Sequence, residues 1–211
     1  MDESEVVVGE DAISRCWWCG TDPEYRRYHD EEWGFPSSSD RDVYEKICLE
    51  GFQCGLSWIT ILRKRPAFRA AFADFDIETV ARFGAPDVER LLGDAGIVRH
   101  RKKIESAINN ARRAIELLEE YPSLAAYVWH FEPPFDERPE TLNRDTLATL
   151  AKTPASTRLA RDMKKRGWTF FGPTTAYAFM QSEGIVNDHM DRCDARERAT
   201  KARVDFLRSN R

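Results

Sequence analysis

The sequence predicts an all-α protein, and three of its features support that fold class. Apolar residues recur at helical spacing along most of the chain. Residues that cap helices precede several of these segments, and glycine or proline follows them. No stretch alternates between polar and apolar residues for long enough to form a sheet. With 211 residues, 42% of them hydrophobic, the chain has the length of one large domain or two small ones.

The first two predicted helices lie before the middle of the chain. Ser39 or Asp40 can cap the segment DRDVYEKICLEG, because both side chains accept hydrogen bonds from helix N–H groups. The apolar block QCGLSWITILRKR makes the second helix, which we expect to stop before Pro66. That proline then opens another short helix at a position where the missing N–H is tolerated.

The central part of the chain predicts three more helices. Asp76 can cap the segment DIETVARF, and the segment APDVERLL follows Gly84. The longest helix runs from about residue 98 to residue 121, where one apolar stripe recurs at helical spacing. Pro122 ends it.

The last third of the chain is also predicted to be helical. SLAAYVWHF is followed by the polar, proline-containing loop EPPFDERPE. STRLARDMKKRG and PTTAYAFMQSEG each end in a glycine suited to a helix C-terminus, Gly167 and Gly184. The segment from His189 onward reads as one further helix. WTFF, at residues 168–171, is the best strand candidate, and it is short.

These patterns suggest one central domain between two tails. We expect a flexible acidic tail at residues 1–14, a single domain at residues 15–193 and a C-terminal helical tail at residues 194–211. The tail after Cys193 mixes acidic and basic residues, as a solvated helix does.

Composition excludes several classes of protein. No run of about 18 apolar residues exists, so we expect no membrane span. The N-terminal residues lack the positive and apolar regions of a secretory signal. Five cysteines are an odd and sparse set, which argues against a disulfide framework and for the cytoplasm. The net charge of −4 gives no bulk signal for nucleic-acid binding, although net charge does not report how charges are distributed.

Metal-ligand residues cluster near both ends of the chain. Cys16, Cys19 and His29 lie near the start, and His189 and Cys193 lie near the end. The spacing of the last two puts both side chains on one face of a helix. A structural zinc site needs four nitrogen or sulfur ligands, so one of these five candidates is surplus. A single His-x3-Cys pair is often coincidence, but two clusters at opposite ends suggest a metal ion that joins the termini.

Aromatic residues and one acid suggest a site for a flat ligand. Tyr25, Tyr28 and Trp33 crowd one segment, and Glu50 and Trp58 follow it. Aromatic faces stack on flat molecules and attract cationic ones. The alternative is that the rings are ordinary core residues and that Glu50 faces water at a helix end. Glu50 nevertheless lies among apolar residues, and a buried carboxylate needs a partner or a function.

A glycine pair followed by basic residues could bind phosphate. Gly93 and Gly96 lie between two predicted helices, where glycine lets backbone amides approach an anion. Basic residues follow directly: Arg99, His100, Arg101, Lys102 and Lys103. Two further basic groups occupy residues 63–65 and 158–166. Each group alone is usually a solvated helix face, but together they could track a nucleic-acid backbone.

Taken together, these stretches resemble the DNA-3-methyladenine glycosylase I family, the zinc-containing branch of the helix-hairpin-helix glycosylases. The resemblance rests on YHDEEWG, GLSWITIL and VNDH in this order, and the matching stretches span about residues 15–193. It implies a helix-hairpin-helix DNA glycosylase-like helical bundle. A structural Zn²⁺ would join its N- and C-terminal segments.

The resemblance also assigns roles to individual residues. It implies that the zinc ligands are Cys16, His29, His189 and Cys193, which leaves Cys19 as a bystander. It implies a base pocket in which Glu50 is the catalytic and base-recognising carboxylate, with four aromatic residues around the base: Tyr25, Tyr28, Trp33 and Trp58. It implies a degenerate DNA-binding hairpin with five contact residues: Gly93, Gly96, Arg99, Arg101 and Lys102.

The expected function is therefore base excision repair of alkylated double-stranded DNA. A monomeric enzyme would flip out 3-methyladenine and hydrolyse its N-glycosidic bond. We expect no lyase activity, because no lysine is marked for a Schiff base, and the aspartate usual in the superfamily has no clear counterpart. Three alternatives remain open: a non-catalytic protein that binds alkylation damage, a zinc-containing helical module that binds protein or RNA, and a zinc hydrolase.

Overall fold

The computed structural model describes residues 6–209, and helices dominate them. Two short strands, β1 (Val6–Val8) and β2 (Ser14–Cys16), pair antiparallel with Val6 opposite Cys16. Eleven α-helices follow within this part of the chain: α1 (Pro23–Glu31), α2 (Asp40–Gln53), α3 (Trp58–Ala71), α4 (Ile77–Ala81), α5 (Ala85–Gly93), α6 (Arg101–Leu118), α7 (Leu124–Trp129), α8 (Arg144–Thr149), α9 (Pro154–Lys165), α10 (Pro173–Ser182) and α11 (Ala195–Ser209). The all-α prediction is thus confirmed except for the small sheet.

Helix α2 is the centre of the core, because it packs against α3, α6, α7 and α10. Nine of its residues are buried, including the acids Glu45 and Glu50. The Tyr44 hydroxyl donates a 2.8 Å hydrogen bond to the Ala107 carbonyl and so ties α2 to α6. An amphipathic helix needs only one apolar face, whereas a central helix is surrounded. The buried acids on α2 therefore lie inside the protein and need partners.

Several predicted helix starts are confirmed by their caps. The Ser39 side chain accepts a hydrogen bond from Asp42 N at the start of α2. Asp76 accepts one from Thr79 N at the start of α4. Helices α1 and α8, which the sequence analysis did not predict, also have caps, Asp22 and Asn143.

The predicted break at Pro66 is wrong, because α3 runs through this residue from Trp58 to Ala71. Pro66 lies on the exposed face of α3, while Arg65 and Phe68 beside it are buried. An interior proline costs a helix about 3 kcal/mol, mainly through a lost hydrogen bond and a clash with the carbonyl four residues earlier. Packing of the buried face of α3 maintains the helix in spite of this cost.

The segment that carries His189 and Cys193 is not a helix, which corrects the prediction of one helix face. Turns occupy this region, and α11 begins only at Ala195. The Asp191 N–H donates to the Leu142 carbonyl, and the Cys193 N–H donates to the Met190 carbonyl. These bonds hold the backbone in turns. The strand candidate at residues 168–171 is not a strand either: the sheet of the described residues is β1–β2, and the Trp168 N–H donates back to the Met163 carbonyl at the end of α9.

Both expected tails are at least partly integrated into the fold. Residues 1–5 of the predicted acidic tail lie outside the described residues, but residues 6–8 form β1. Helix α11 buries Ala195, Ala199 and Arg203, and the Arg203 guanidinium donates a 2.7 Å hydrogen bond to the Gly184 carbonyl. The C-terminal segment is thus a packed helix with one solvated side.

Within residues 6–209, no helix has the length and apolar character needed to cross a membrane.

The backbone at Gly184 has a specific steric requirement. Its φ is +66°, and a Cβ there would overlap the Gly34 carbonyl oxygen. Gly20 has a φ of +57° but has open space around the same position. Urea unfolding should show that Gly20→Ala costs about 1–2 kcal/mol through left-handed strain, and that Gly184→Ala costs roughly 1–3 kcal/mol more through the clash. Equal losses for the two variants would contradict the close approach of these segments.

Candidate functional site

Four potential metal ligands converge at one buried point. The ligand atoms of Cys16, His29, His189 and Cys193 all lie within 4.8 Å of one another, and all four residues are buried. Cys193 Sγ lies 3.5 Å from both His29 Nε2 and His189 Nδ1, and Cys16 Sγ lies 3.9 Å from His189 Nδ1. A mixed set of two thiols and two imidazoles suits a tetrahedral metal ion. This group could therefore bind a metal.

The second nitrogen of each imidazole is already engaged. His29 Nδ1 lies 2.7 Å from Asp30 Oδ1, and Asp30 is held in turn by the Arg15 guanidinium. His189 Nε2 lies 2.9 Å from the Trp33 carbonyl oxygen. Such partners fix the orientation of a ligating imidazole and leave its other nitrogen for the metal. The orientation of both histidines is thus compatible with metal binding, and in the structure His29 Nε2 accepts a 3.3 Å hydrogen bond from the Cys16 N–H.

The two cysteines of the group differ from Cys19 in environment. The two thiols are hydrogen-bonded to each other, which lowers the pKa of Cys193, with help from the two imidazoles, and raises the pKa of Cys16. Cys19 is buried nearby, but its Sγ donates to the Cys16 carbonyl at 3.2 Å and lies outside the ligand group. The assignment of Cys19 as a bystander agrees with this geometry.

Aromatic rings connect the four candidate ligand residues to a cavity. Trp33 contacts His189 edge-on with ring centroids 4.7 Å apart, and Trp18 contacts His29 at 5.2 Å. Trp18 also contacts Trp33 at 4.9 Å and Tyr25 at 5.1 Å. The cavity wall is therefore built directly on the two histidines.

The cavity has a volume of about 270 Å³ and is rich in aromatic rings. All five residues that the sequence analysis assigned to a base pocket line it. They are Tyr25, Tyr28, Trp33, Glu50 and Trp58. The remaining lining residues were missed: Trp17, Trp18, Gln53, Leu147, Leu150, Ala178 and Gln181. Trp17 and Trp18 directly follow the candidate ligand Cys16, so the sequence could have indicated them. No sequence pattern predicts that residues of α8 and α10 lie at this site.

Glu50 is the unusual group in the cavity. Its side chain is 4% exposed, and its Oε2 atom has no hydrogen-bond partner. The indole Nε1 of Trp58 is likewise buried without a partner. Burial raises the pKa of Glu50 to about 8, Lys46 opposes this shift and Glu183 adds to it. Because a buried polar atom without a partner costs about 1–3 kcal/mol, both atoms are suited to a polar ligand.

The predicted hairpin lies between α5 and α6, at residues 94–100. The Gly96 N–H already donates to Asp94 Oδ1 at 2.7 Å, and the Lys64 ammonium donates to the Ala95 and Gly96 carbonyls. A Cβ on Gly96 would lie 2.9 Å from the Ala67 Cβ, so glycine is needed there for packing against α3. Gly93 is exposed at the end of α5.

The basic residues form less of a stripe than the sequence suggested. Arg101 pairs with Glu89 at 2.7 Å, and Lys103 is buried with its ammonium on the Phe52 and Cys54 carbonyls. Four arginines of the other two basic groups are paired with acids: Arg63, Arg65, Arg158 and Arg166. Arg99 and Lys102 are exposed and have no acidic partner in the part of the chain that the structure describes. Local pairing therefore accounts for much of the positive charge.

Comparison with known proteins identifies the family of the chain. A family model described as methyladenine glycosylase matches residues 18–197. The chain belongs to this family. It is 44% identical over 182 residues to DNA-3-methyladenine glycosylase 1 of Escherichia coli (strain K12), a match that covers 86% of this chain and 96% of that protein.

Solved structures agree with this placement. A crystal structure of a 3-methyladenine DNA glycosylase I is 46% identical, with a TM-score of 0.79, and the match covers 85% of this chain and 98% of that one. A substituted 3-methyladenine DNA glycosylase I in complex with 3-methyladenine is 31% identical, with a TM-score of 0.80, and the match covers 86% and 97%. The described fold is therefore that of the methyladenine glycosylases.

The ligand group makes a prediction about stability and metal content. Cys193→Ser should remove the bound metal ion and lower the unfolding free energy by more than about 3 kcal/mol, because metal binding is coupled to folding. Cys19→Ser is the matched control: it should keep the metal and lose at most about 1 kcal/mol. Elemental analysis and thermal unfolding check both. Full metal content and an unchanged melting temperature in Cys193→Ser would contradict the site.

Glu50 makes a prediction about stability against pH. The folded protein keeps the Glu50 proton up to about pH 8, whereas the unfolded chain releases it near pH 4.5, so this group costs stability as pH rises through that interval. The cost is about 1.4 kcal/mol for each unit of pKa shift. Glu50→Gln should therefore gain stability over the wild type between pH 5 and pH 8, as measured by urea unfolding. A pH-independent difference would show that Glu50 is ionised throughout.

Proposed function

We propose that the protein is a DNA-3-methyladenine glycosylase of base excision repair. It accepts a flipped-out 3-methyladenine nucleotide from alkylated DNA and hydrolyses the N-glycosidic bond without cleaving the strand. The observation that carries this proposal is the unpartnered Glu50 Oε2 atom in a cavity walled by aromatic rings. That combination suits a flat, cationic base with an exocyclic amino group.

Recognition of the lesion follows from the charge of the methylated base. Methylation at N3 makes adenine cationic, and a cation that stacks on aromatic faces gains about 0.5–2 kcal/mol over a neutral base. Tyr28 and Trp58, with ring centroids 5.4 Å apart, are positioned to contact such a base. A cationic base also lowers the pKa of Glu50 when it binds, because it stabilises the carboxylate. Normal adenine offers neither gain, so the pocket discriminates by charge.

The chemistry requires little acid catalysis. A cationic base is already a good leaving group, so the pocket's main tasks are to hold the base and to exclude competing ones. Among the described residues that line the cavity, Glu50 is the sole carboxyl group and no lysine is present. Water would attack the sugar carbon as the bond breaks. The absence of a cavity lysine supports a monofunctional enzyme, since strand cleavage needs a Schiff base.

Zn²⁺ is the metal that fits the ligand group best. With Zn–S bonds of 2.3 Å and Zn–N bonds of 2.0–2.1 Å, tetrahedral geometry gives sulfur–nitrogen separations of about 3.6 Å. Three of the four sulfur–nitrogen distances in the group are 3.5, 3.5 and 3.9 Å. Four protein ligands leave no position for a water molecule, so we assign the ion a structural role. It would hold the N-terminal segment against the C-terminal part of the chain.

The DNA contact is assigned to a helix-hairpin-helix unit made of α5, residues 94–100 and α6. Gly93 and Gly96 would lie close to the phosphate backbone, and three basic residues would contact it: Arg99, Arg101 and Lys102. Arg99 and Lys102 support this assignment, because both are exposed. Asp94 would have to release the Gly96 N–H for a phosphate to bind there. We place the glycosylase domain at residues 15–193, and propose that the enzyme is a cytoplasmic monomer acting on double-stranded DNA.

Base release tests the proposed function. Wild-type protein should release free 3-methyladenine from methylated duplex DNA, and Glu50→Gln should reduce kcat/KM by about 100-fold or more, because the negative charge is lost and one acceptor oxygen is replaced by an NH₂ donor. Glu45→Gln is the matched control on the same helix. Glu45 is buried and paired with Arg69 at 2.9 Å, and it does not line the cavity. Tight binding of methylated DNA without base release by the wild type would instead favour a damage-binding protein.

A further inference from the structure

A second buried acid lies behind the cavity, at the end of α10. Glu183 is 1% exposed, and its carboxylate accepts hydrogen bonds from Ser37 N (3.2 Å) and Ser37 Oγ (3.4 Å). It stands at the C-terminus of a helix, where the helix dipole disfavours negative charge. Burial and the helix dipole thus both disfavour the charged form of Glu183. A compensating cation is therefore expected.

Lys46 supplies that cation. Its ammonium nitrogen lies 3.8 Å from Glu183 Oε1, and its side chain is 13% exposed. The same nitrogen lies 5.4 Å from the centroid of the Tyr28 ring. Tyr28 lines the aromatic cavity and Lys46 does not. The Lys46–Glu183 pair thus lies directly behind an aromatic wall of the base pocket.

The position of Lys46 on α2 also relates this pair to Glu50. Lys46 and Glu50 are four residues apart on α2, so their side chains lie on one face and within reach of each other. No ion pair joins them, however, since Lys46 turns to Glu183 and Glu50 Oε2 keeps no partner. The other carboxylates that interact with Lys46 include Glu32, Glu45 and Glu50. Glu32 and Glu45 are already paired with arginines, whereas Glu50 has an oxygen without a partner. Glu183 therefore holds the ammonium away from the oxygen that the base needs.

Lys46 still acts on Glu50 through space. The titratable groups that influence Glu50 or are influenced by it are Tyr25 and Tyr28 on α1, Lys46 on its own helix and Glu183 at the end of α10. Of these, Lys46 alone stabilises the charged form of Glu50, and Glu183 opposes it. The pair therefore supplies a cation close enough to support the carboxylate but tethered so that it does not cover it.

We propose that Lys46 and Glu183 are positioning residues for base recognition: Lys46 favours the carboxylate form of Glu50, and Glu183 holds the Lys46 ammonium so that the Glu50 Oε2 atom stays free for the base. This inference rests on the proposed function. Neither residue touches the substrate. They act through the charge and the accessibility of Glu50, and so contribute to selection of a cationic base over a neutral one.

The test compares two variants that should move the pH profile in opposite directions. In Glu183→Gln, Lys46 loses its partner and turns toward Glu50. The acid limb of kcat/KM for 3-methyladenine release should move to lower pH by about one unit, and the affinity for free 3-methyladenine at pH 7 should fall about tenfold. In Lys46→Met, Glu50 loses its supporting cation, so the acid limb should move to higher pH. Lys46→Arg keeps the charge and should retain the wild-type limb.

Separate controls test whether the variants fold and whether the protein is an enzyme. The double variant Lys46→Met, Glu183→Gln removes both charges of the pair, so it leaves neither as an unpaired buried charge and is expected to fold. The acid limb of its pH profile should coincide with that of Lys46→Met. Quenching of tryptophan fluorescence by free 3-methyladenine gives the same pH comparison without turnover, because the cavity contains several tryptophans. A wild type that binds the base but releases none from DNA would contradict the enzymatic function and leave this comparison valid. Shifts in the same direction, or loss of stability with no shift, would overturn the positioning role.

Discussion

The convergence of four buried ligand atoms from the two ends of the chain is the constraint on which the rest of the site depends. Cys16 ends β2 and His29 lies on α1, whereas His189 and Cys193 come from the turns before α11. Their imidazoles support Trp18 and Trp33 directly. Because the cavity wall is built on these contacts, the base pocket exists only when the chain ends are held together. The structural metal that we propose for this group would thus also be a determinant of recognition, although it would take no part in the chemistry.

The burial of Glu50 in the pocket is energetically unfavourable. Glu50 is buried on the central helix with one oxygen unpartnered, and its pKa is raised to about 8 by that burial. A protein selected only for stability would replace it. The Lys46–Glu183 pair behind Tyr28 reduces this cost, since Lys46 favours the carboxylate form of Glu50. Glu183 keeps the Lys46 ammonium from covering the Glu50 Oε2 atom. A cationic base relieves the remaining cost, which links affinity to the charge of the lesion.

Much of this site could be predicted from the sequence, and the failures have local physical causes. Helix caps such as Ser39 and Asp76 are short-range signals, and they were read correctly. The run of α3 through Pro66 was missed because burial of the opposite face outweighs the local penalty. The spacing of His189 and Cys193 suggested a helix, but turns fixed by contacts with distant residues bring the two side chains together. The Lys46–Glu183 pair joins residues far apart in sequence, so no local pattern reveals it.

The most direct test of the account is a crystal structure of the protein with free 3-methyladenine. The account predicts the base in the aromatic cavity, in contact with Tyr28 and Trp58, with its exocyclic amino group within hydrogen-bond distance of Glu50 Oε2. It also predicts that the Lys46–Glu183 pair stays intact. A base bound elsewhere, or bound in the cavity with Glu50 turned away from it, would contradict the central claim that the unpartnered carboxylate is the recognition group.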